Sequence, residues 1–227
     1  SKKGKVLVPV LGVGRAQEIM MILEKSFRNG TLEDIPVYAQ GMVWDITAIH
    51  TAYPDFLNPN IKRMIFHKDE NPFLNKNFKE VGSQKEMQEV LESGPCIILA
   101  TSGMMTGGPS VEYFKELASN AKNSLVLVSY QGGNSLGRRL EQGEKEIIFS
   151  KDEIINVKMD VHKLQGFSGH SSRKQLLAFM HDLEPKPKRV ILMHGENSKC
   201  LDLATTLHKM YRIETNAPRN LETIRIK

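Results

Sequence analysis

The sequence predicts an α/β protein: a doubly wound, mostly parallel sheet, followed by the C-terminal part of a second α/β domain. Two patterns carry this expectation. Short apolar runs with no polar face, "KVLVPV", "PCIILA" and "SLVLV", alternate with segments whose apolar residues recur at helical spacing. A parallel sheet covered by helices on both faces requires that alternation. Beyond about residue 145 the strands alternate polar and apolar residues, as in "INVKMDVHKL", so they leave one face polar.

Taken in order, "KVLVPV" reads as a strand, and "RAQEIMMILEKSF" as a helix with Ile19, Ile22, Leu23 and Phe27 on one stripe. "IPVYAQ" is a strand and "GMVWDITAIHTAY" a helix stopped by Pro54. The theme repeats in "EMQEVLES" (helix), "PCIILAT" (strand), "SVEYFKELASNA" (helix) and "SLVLVSY" (strand). After the strand "KEIIFS" come the helix "SRKQLLAFMHDL", the strand "KRVILMHG", the helix "CLDLATTLHKMY" and a last strand "LETIRIK". The expected division is a first domain at 1–160 and a second at 161–227, the latter small for independent folding.

Hydrophobic residues at 40% and charged residues at 25% are those of a soluble globular chain, which argues against disorder. No run approaches the roughly 20 apolar residues of a membrane span, and the opening lacks a signal-peptide core, so a cytoplasmic protein without membrane partners is expected. Cys96 and Cys200 stand far apart outside any CxxC pair, which argues against a disulfide framework and a cysteine-based zinc site. A net charge of +5 is compatible with a polyanionic partner and equally with ordinary solubility.

Four stretches could carry chemistry. "LGVGRAQE" resembles the opening of a dinucleotide fingerprint, but Gln17 occupies the third glycine position; Arg15 in this turn remains a candidate phosphate contact. "TSGMMTGGPS" follows the buried strand "CIILA", where open α/β sheets bind ligands. Its glycines and hydroxyls make Ser102, Gly103, Met104, Met105 and Ser110 candidate substrate contacts, against the alternative of a plain strand-to-helix turn. In "GFSGHSS", His170 either caps the following helix or faces a site, with Ser168 beside it; a serine nucleophile elbow fails because histidine stands where its second glycine belongs. In "VILMHGE", His194 ends a strand and could ligate a metal or act as an acid.

Together, "PVLGVGRAQE", "TSGMMTGGPS", "GFSGHSS" and "VILMHGE", in this order, resemble the β-CASP branch of the metallo-β-lactamase superfamily. "YAQGMVWDITAIHTAYPDFL" and "NAPRNLETIRIK" are similar to its archaeal, KH-domain-containing members, related to the endonuclease of mRNA 3′-end processing and described as transcription-termination ribonucleases. The resemblance implies that residues 1–160 form most of a β-CASP cap and that 161–227 complete a metallo-β-lactamase αββα domain. It also implies a ribonuclease acting as endonuclease and 5′–3′ exonuclease, with two zinc ions in the full-length enzyme.

On that resemblance His194 ligates zinc, and His170 lies beside the scissile phosphate as a catalytic group. Arg15, Ser102, Gly103, Met104, Met105, Ser110 and Ser168 line the substrate cleft. A histidine at the position of His194 favours RNA over DNA. Implied partners are RNA, a second copy through the C-terminal end, and RNA polymerase or processing factors. The family's HxHxDH zinc motif does not occur in these 227 residues, so the chain is expected to be a fragment that binds no zinc and is inactive alone. A non-catalytic RNA-binding or scaffold member of the superfamily is the competing reading.

Overall fold

The computed structural model describes residues 3–167 and 169–226. The chain divides into two compact units, Ser1–Ser168 and Gly169–Lys227. In the first, β1 (Val6–Pro9) leads to α1 (Arg15–Arg28). β2 (Val37–Gln40) leads to α2 (Met42–Ala52) and, past a 3-10 turn at Pro54–Phe56, to α3 (Pro59–Lys68). β3 (Phe78–Val81) is followed by α4 (Gln84–Glu92), and β4 (Ile97–Ala100) by α5 (Pro109–Leu117). β5 (Ser124–Leu127) is followed by α6 (Leu136–Glu141), the hairpin β6 (Glu146–Ser150) and β7 (Glu153–Asn156), and β8 (Asp160–Lys163).

Six of these strands form one sheet in the order β3-β2-β4-β1-β5-β8, with all neighbours parallel. This is the predicted doubly wound sheet, and β8 adds its outer edge by pairing Ser124–Leu127 with Asp160–Lys163. Alternation along each strand sends successive residues to opposite faces. Leu7, Ile98 and Leu125 join Tyr113 and Phe114 of α5 in one core, while Val8, Ile97 and Leu99 join Ile19 and Met20 of α1 in the other. Each fully buried Leu or Ile contributes about 1.5–3 kcal/mol, so a polar residue at Ile98, which is fully buried, would break the layer.

Local chemistry sets the helix ends. Ser83 accepts from the Glu86 N–H at the start of α4, and Asn58 accepts from the N–H groups of Asn60 and Ile61 ahead of α3. Lys5 is buried, and its ammonium donates to the carbonyls of Ser93 and Gly94 just past α4, where cations suit the helix end. Burial pushes the nearby Cys96 thiol above its ordinary value.

In the second unit, α7 (Arg173–Asp182), β9 (Arg189–Ile191), α8 (Asn197–Tyr211) and β10 (Glu214–Asn216) follow one another. β9 and β10 run parallel, with Arg189 opposite Glu214 and an ion pair of 2.7 Å between them. Arg173 ties α7 to α8 through Asp202 at 2.7 Å and Thr206 at 2.8 Å. Buried apolar side chains in the described part of this unit are Met180, Ala204 and Leu207, whereas Phe179, Met193 and Met210 are exposed. So thin a core makes this unit marginal on its own.

Two expectations are corrected here. The strand "KRVILMHG" ends at Ile191 rather than at His194. The described part of "LETIRIK" is not a strand: β9 takes Glu214–Asn216 as its partner instead. The tail is held by Arg189 donating to the Arg225 carbonyl at 2.8 Å.

Candidate active site

The carboxyl edge of the parallel sheet gathers the exits of β1, β4 and β5. A Cβ built on Gly103, after β4, would stand 3.0 Å from Ser129 Oγ and 3.1 Å from Leu11 N, so glycine is what lets these three exits close up. Gln131 fastens the same point by donating to the Gly103 carbonyl at 2.9 Å.

The β4–α5 loop turns much of its hydrogen bonding inward. Ser102 Oγ accepts from the Thr106 N–H at 3.0 Å, and the Met105 N–H donates to the Ser102 carbonyl at 3.1 Å. The Ser110 hydroxyl donates to that same carbonyl at 2.9 Å, and the Ser110 N–H donates to Thr101 at 2.8 Å. Met105 and Ser110 are buried, whereas Met104 is exposed and Ser102 half-buried. Of the five candidate substrate contacts in this loop, Met105 and Ser110 are thus turned into the fold. Met105 sits in the core beneath the loop and Ser110 buttresses its base, while Met104 and the segment 106–108 face outward. Gly108, at φ +74°, supplies the left-handed turn that starts α5.

In the β1–α1 turn, Gln17 is buried and acts as a hub. It accepts from the Gly14 N–H at 2.7 Å and donates to the Gly12 carbonyl at 3.1 Å and to Thr47 Oγ1 at 3.0 Å. A third glycine could make none of these bonds. Arg15 forms an ion pair with Glu18 and lies over the Phe167 ring, 5.7 Å from its centroid, with its side chain only 13% exposed. Basic side chains of "SLGRRL" and "PKPKRV" are engaged: Arg139 with Glu144 at 2.5 Å, Arg138 with Glu141 at 3.2 Å, and Lys186 with the carbonyls of His181 and Leu183.

In the second unit, α7 is capped without His170. Ser172 accepts from the Gln175 N–H at 3.3 Å, and Gln175 Oε1 accepts from the Ser172 N–H at 2.7 Å. His170 lies two residues ahead of this capping box and is exposed. The capping alternative for His170 is therefore already filled by Ser172. Ser168 lies outside the described residues.

His194 is exposed in the β9–α8 loop with φ +64°, a left-handed conformation that costs a non-glycine residue about 1–2 kcal/mol. Next to it, a Cβ on Gly195 would meet Cys200 Sγ at 2.9 Å, so the turn is pressed against α8. Other histidines have plain local roles: His50 packs edge-on against Phe73, and His208 shares a hydrogen bond with the Ile213 carbonyl. Among the described residues no group of three or more His, Cys, Asp and Glu side chains is placed to hold a metal ion. A catalytic zinc takes about three protein ligands, so these residues do not fit a zinc centre by themselves. None of the described helices is long and apolar enough to cross a membrane.

Comparison with known proteins agrees with this layout. Residues 16–140 match the model of the Beta-Casp domain, and residues 154–218 match that of the Zn-dependent metallo-hydrolase RNA specificity domain. Curated archaeal proteins named transcription termination factor FttA are similar along nearly the whole chain. The one from Thermococcus kodakarensis is 52% identical, over 99% of this chain and 35% of its own length. Those from Methanocaldococcus jannaschii and a Lokiarchaeum strain are 49% and 47% identical, each over 99% of this chain and 36% of the relative. The chain thus spans about a third of the length of these relatives.

Proposed function

The chain belongs to the Beta-Casp family, and on that premise we propose that it is part of a metal-dependent ribonuclease cutting RNA phosphodiesters in transcription termination or mRNA 3′-end formation. The names of the relatives and the match to an RNA specificity domain support the process and the substrate. The observation that carries the reading is His194: an exposed imidazole held on a left-handed turn between β9 and α8, at the loop where a strand end meets a helix start.

In this reading His194 supplies one zinc ligand, and the remaining ligands come from the other two-thirds of the protein. Zinc, when bound, supplies Lewis acidity toward the phosphoryl oxygens. His170 steadies charge on the scissile phosphate and holds a proton for the leaving oxygen. Met104 and the glycine-rich turn around Ser102 and Gly103 bear on the RNA chain. A second copy joined through the C-terminal end, and RNA polymerase or processing factors, are the partners. Endonucleolytic cutting with 5′–3′ trimming is the activity.

The test uses the full-length protein. His194→Ala should lower bound zinc, measured by elemental mass spectrometry, and abolish cleavage of a labelled single-stranded RNA. His170→Ala should slow cleavage with zinc retained. Unchanged metal content and turnover in His194→Ala would refute the ligand role.

A further inference from the structure

The turn that carries His194 is anchored on both sides. On the strand side, the Leu192 N–H donates to the Asn216 carbonyl at 2.8 Å. On the helix side, the Glu196 carbonyl accepts from the N–H groups of Lys199 at 2.9 Å and Cys200 at 3.0 Å, and the Glu196 carboxylate pairs with Lys199 at 3.1 Å. Glu196 is the N-cap of α8, which puts Gly195 just before the cap and Cys200 at the fourth helical position. Apolar side chains at these two places often pack on each other and fix the angle at which the chain enters a helix. Here one of the two has no side chain. Side chains on a helix lean toward its N-terminus, and the half-buried Cys200 sulfur reaches back to the Gly195 backbone, so close that a Cβ on Gly195 would stand 2.9 Å from it.

We propose that Cys200 is a positioning residue for His194: its sulfur, set against the bare backbone of Gly195, fixes the direction in which the neighbouring imidazole leaves α8. This rests on the ribonuclease reading, in which that imidazole must point to one place. His194 is left-handed at φ +64°, whereas Gly195 lies outside that region. An alanine at 195 therefore suits the backbone and, among the described residues, meets only the sulfur. Groups that orient a metal ligand typically hold about 10- to 100-fold of metal affinity or activity.

The experiment uses the full-length protein. It reads bound zinc after a fixed chelator challenge, by elemental mass spectrometry, alongside steady-state cleavage of a labelled single-stranded RNA. Cys200→Ala should retain less zinc and lower kcat by roughly 10- to 100-fold with KM unchanged. Cys200→Ser, which keeps an atom at the place of the sulfur, should stay close to the parent. Gly195→Ala forces a methyl and the sulfur into one space and should also lose zinc and rate. In the double variant Gly195→Ala/Cys200→Ala the new methyl fills the place of the lost sulfur, so zinc and kcat should recover above either single variant.

Summed losses in the double variant would overturn the proposal. So would a Cys200→Ala protein that melts earlier but keeps its zinc and kcat, the mark of simple packing. Zinc lost outright in Cys200→Ala, Cys200→Ser and the double variant alike would make the sulfur itself a ligand and overturn it too. If the parent holds no zinc and cuts no RNA, the reading of His194 fails and takes this role with it. A parent that does both, beside an unaffected Cys200→Ala, defeats only the positioning.

Discussion

Replacing Gln17 by leucine isolates the cost of the hub under the β1–α1 turn. Leucine is close in volume, so packing is largely kept while the polar bonds of Gln17 vanish. The Gly14 N–H is exposed and can turn to water, but the Gly12 carbonyl is buried. Thr47 still donates to the Val43 carbonyl at 2.7 Å. The uncompensated carbonyl costs about 1–3 kcal/mol, and the lost N-terminal bond adds about 1 kcal/mol, giving about 2–4 kcal/mol in total. For a unit of this size each kcal/mol moves the midpoint by about 2–4 °C. Thermal unfolding followed by circular dichroism should therefore show a fall on the order of 5–15 °C. Gln17→Glu keeps the acceptor for Gly14 but turns an oxygen toward the Gly12 carbonyl, and should be at least as damaging. Midpoints within 2 °C of the parent for both variants, roughly the effect of half a kcal/mol, would show that the hub is not what holds the turn.

Two further outcomes follow from the first unit. Lys163, and then Arg138, hold the Glu141 carboxyl below its ordinary value. Its stabilising contribution is therefore complete above the unfolded-state value and is lost as pH falls through the lower folded-state one. The melting gap between the parent and Glu141→Gln, about 1 kcal/mol or less at neutral pH, should close on acidification; a gap that stays constant to pH 3 would contradict the pairing. The Tyr113 hydroxyl is buried without a hydrogen-bond partner among the described residues, and burial drives its pKa up. Tyr113→Phe should thus be neutral or stabilising by up to about 1 kcal/mol in urea unfolding. A clear loss of stability would reveal a partner for that oxygen.

Elements with a strong stripe or an unbroken apolar run were readable directly, as with α1 and β4, although Ile22 of the expected α1 stripe is exposed. The others depend on neighbours that a sequence does not name. In β3, "FKEV", only Phe78 and Val81 are buried, because the strand is a sheet edge. α3 buries none of its residues, and its only local sign is the Asn58-Pro59 start. The alternation of Ile224 and Ile226 reads as a strand, but strandedness requires a partner, and β9 pairs with the polar run Glu214–Asn216.

At the candidate site the positions of the loops were legible because glycine and hydroxyl residues follow apolar strands. The direction of each side chain was not. Met104 and Met105 are adjacent and identical in type, yet only Met105 is buried, at φ +54°. Gln17 carried a signal that could have been used: an amide three residues into a helix is a familiar partner for the first unpaired N–H.

The neighbour order of the sheet also shapes how the chain is made. β1 pairs with β4 and β5, so Val6 meets Ile97, its first ladder partner, only after some ninety further residues have been added. At about 5–20 residues per second, the segment "VLVP" stays without a ladder for roughly 5–20 s on a translating ribosome. During that interval an unpaired, greasy strand is a natural client for a chaperone, and slower synthesis through residues 10–97 would lengthen its exposure.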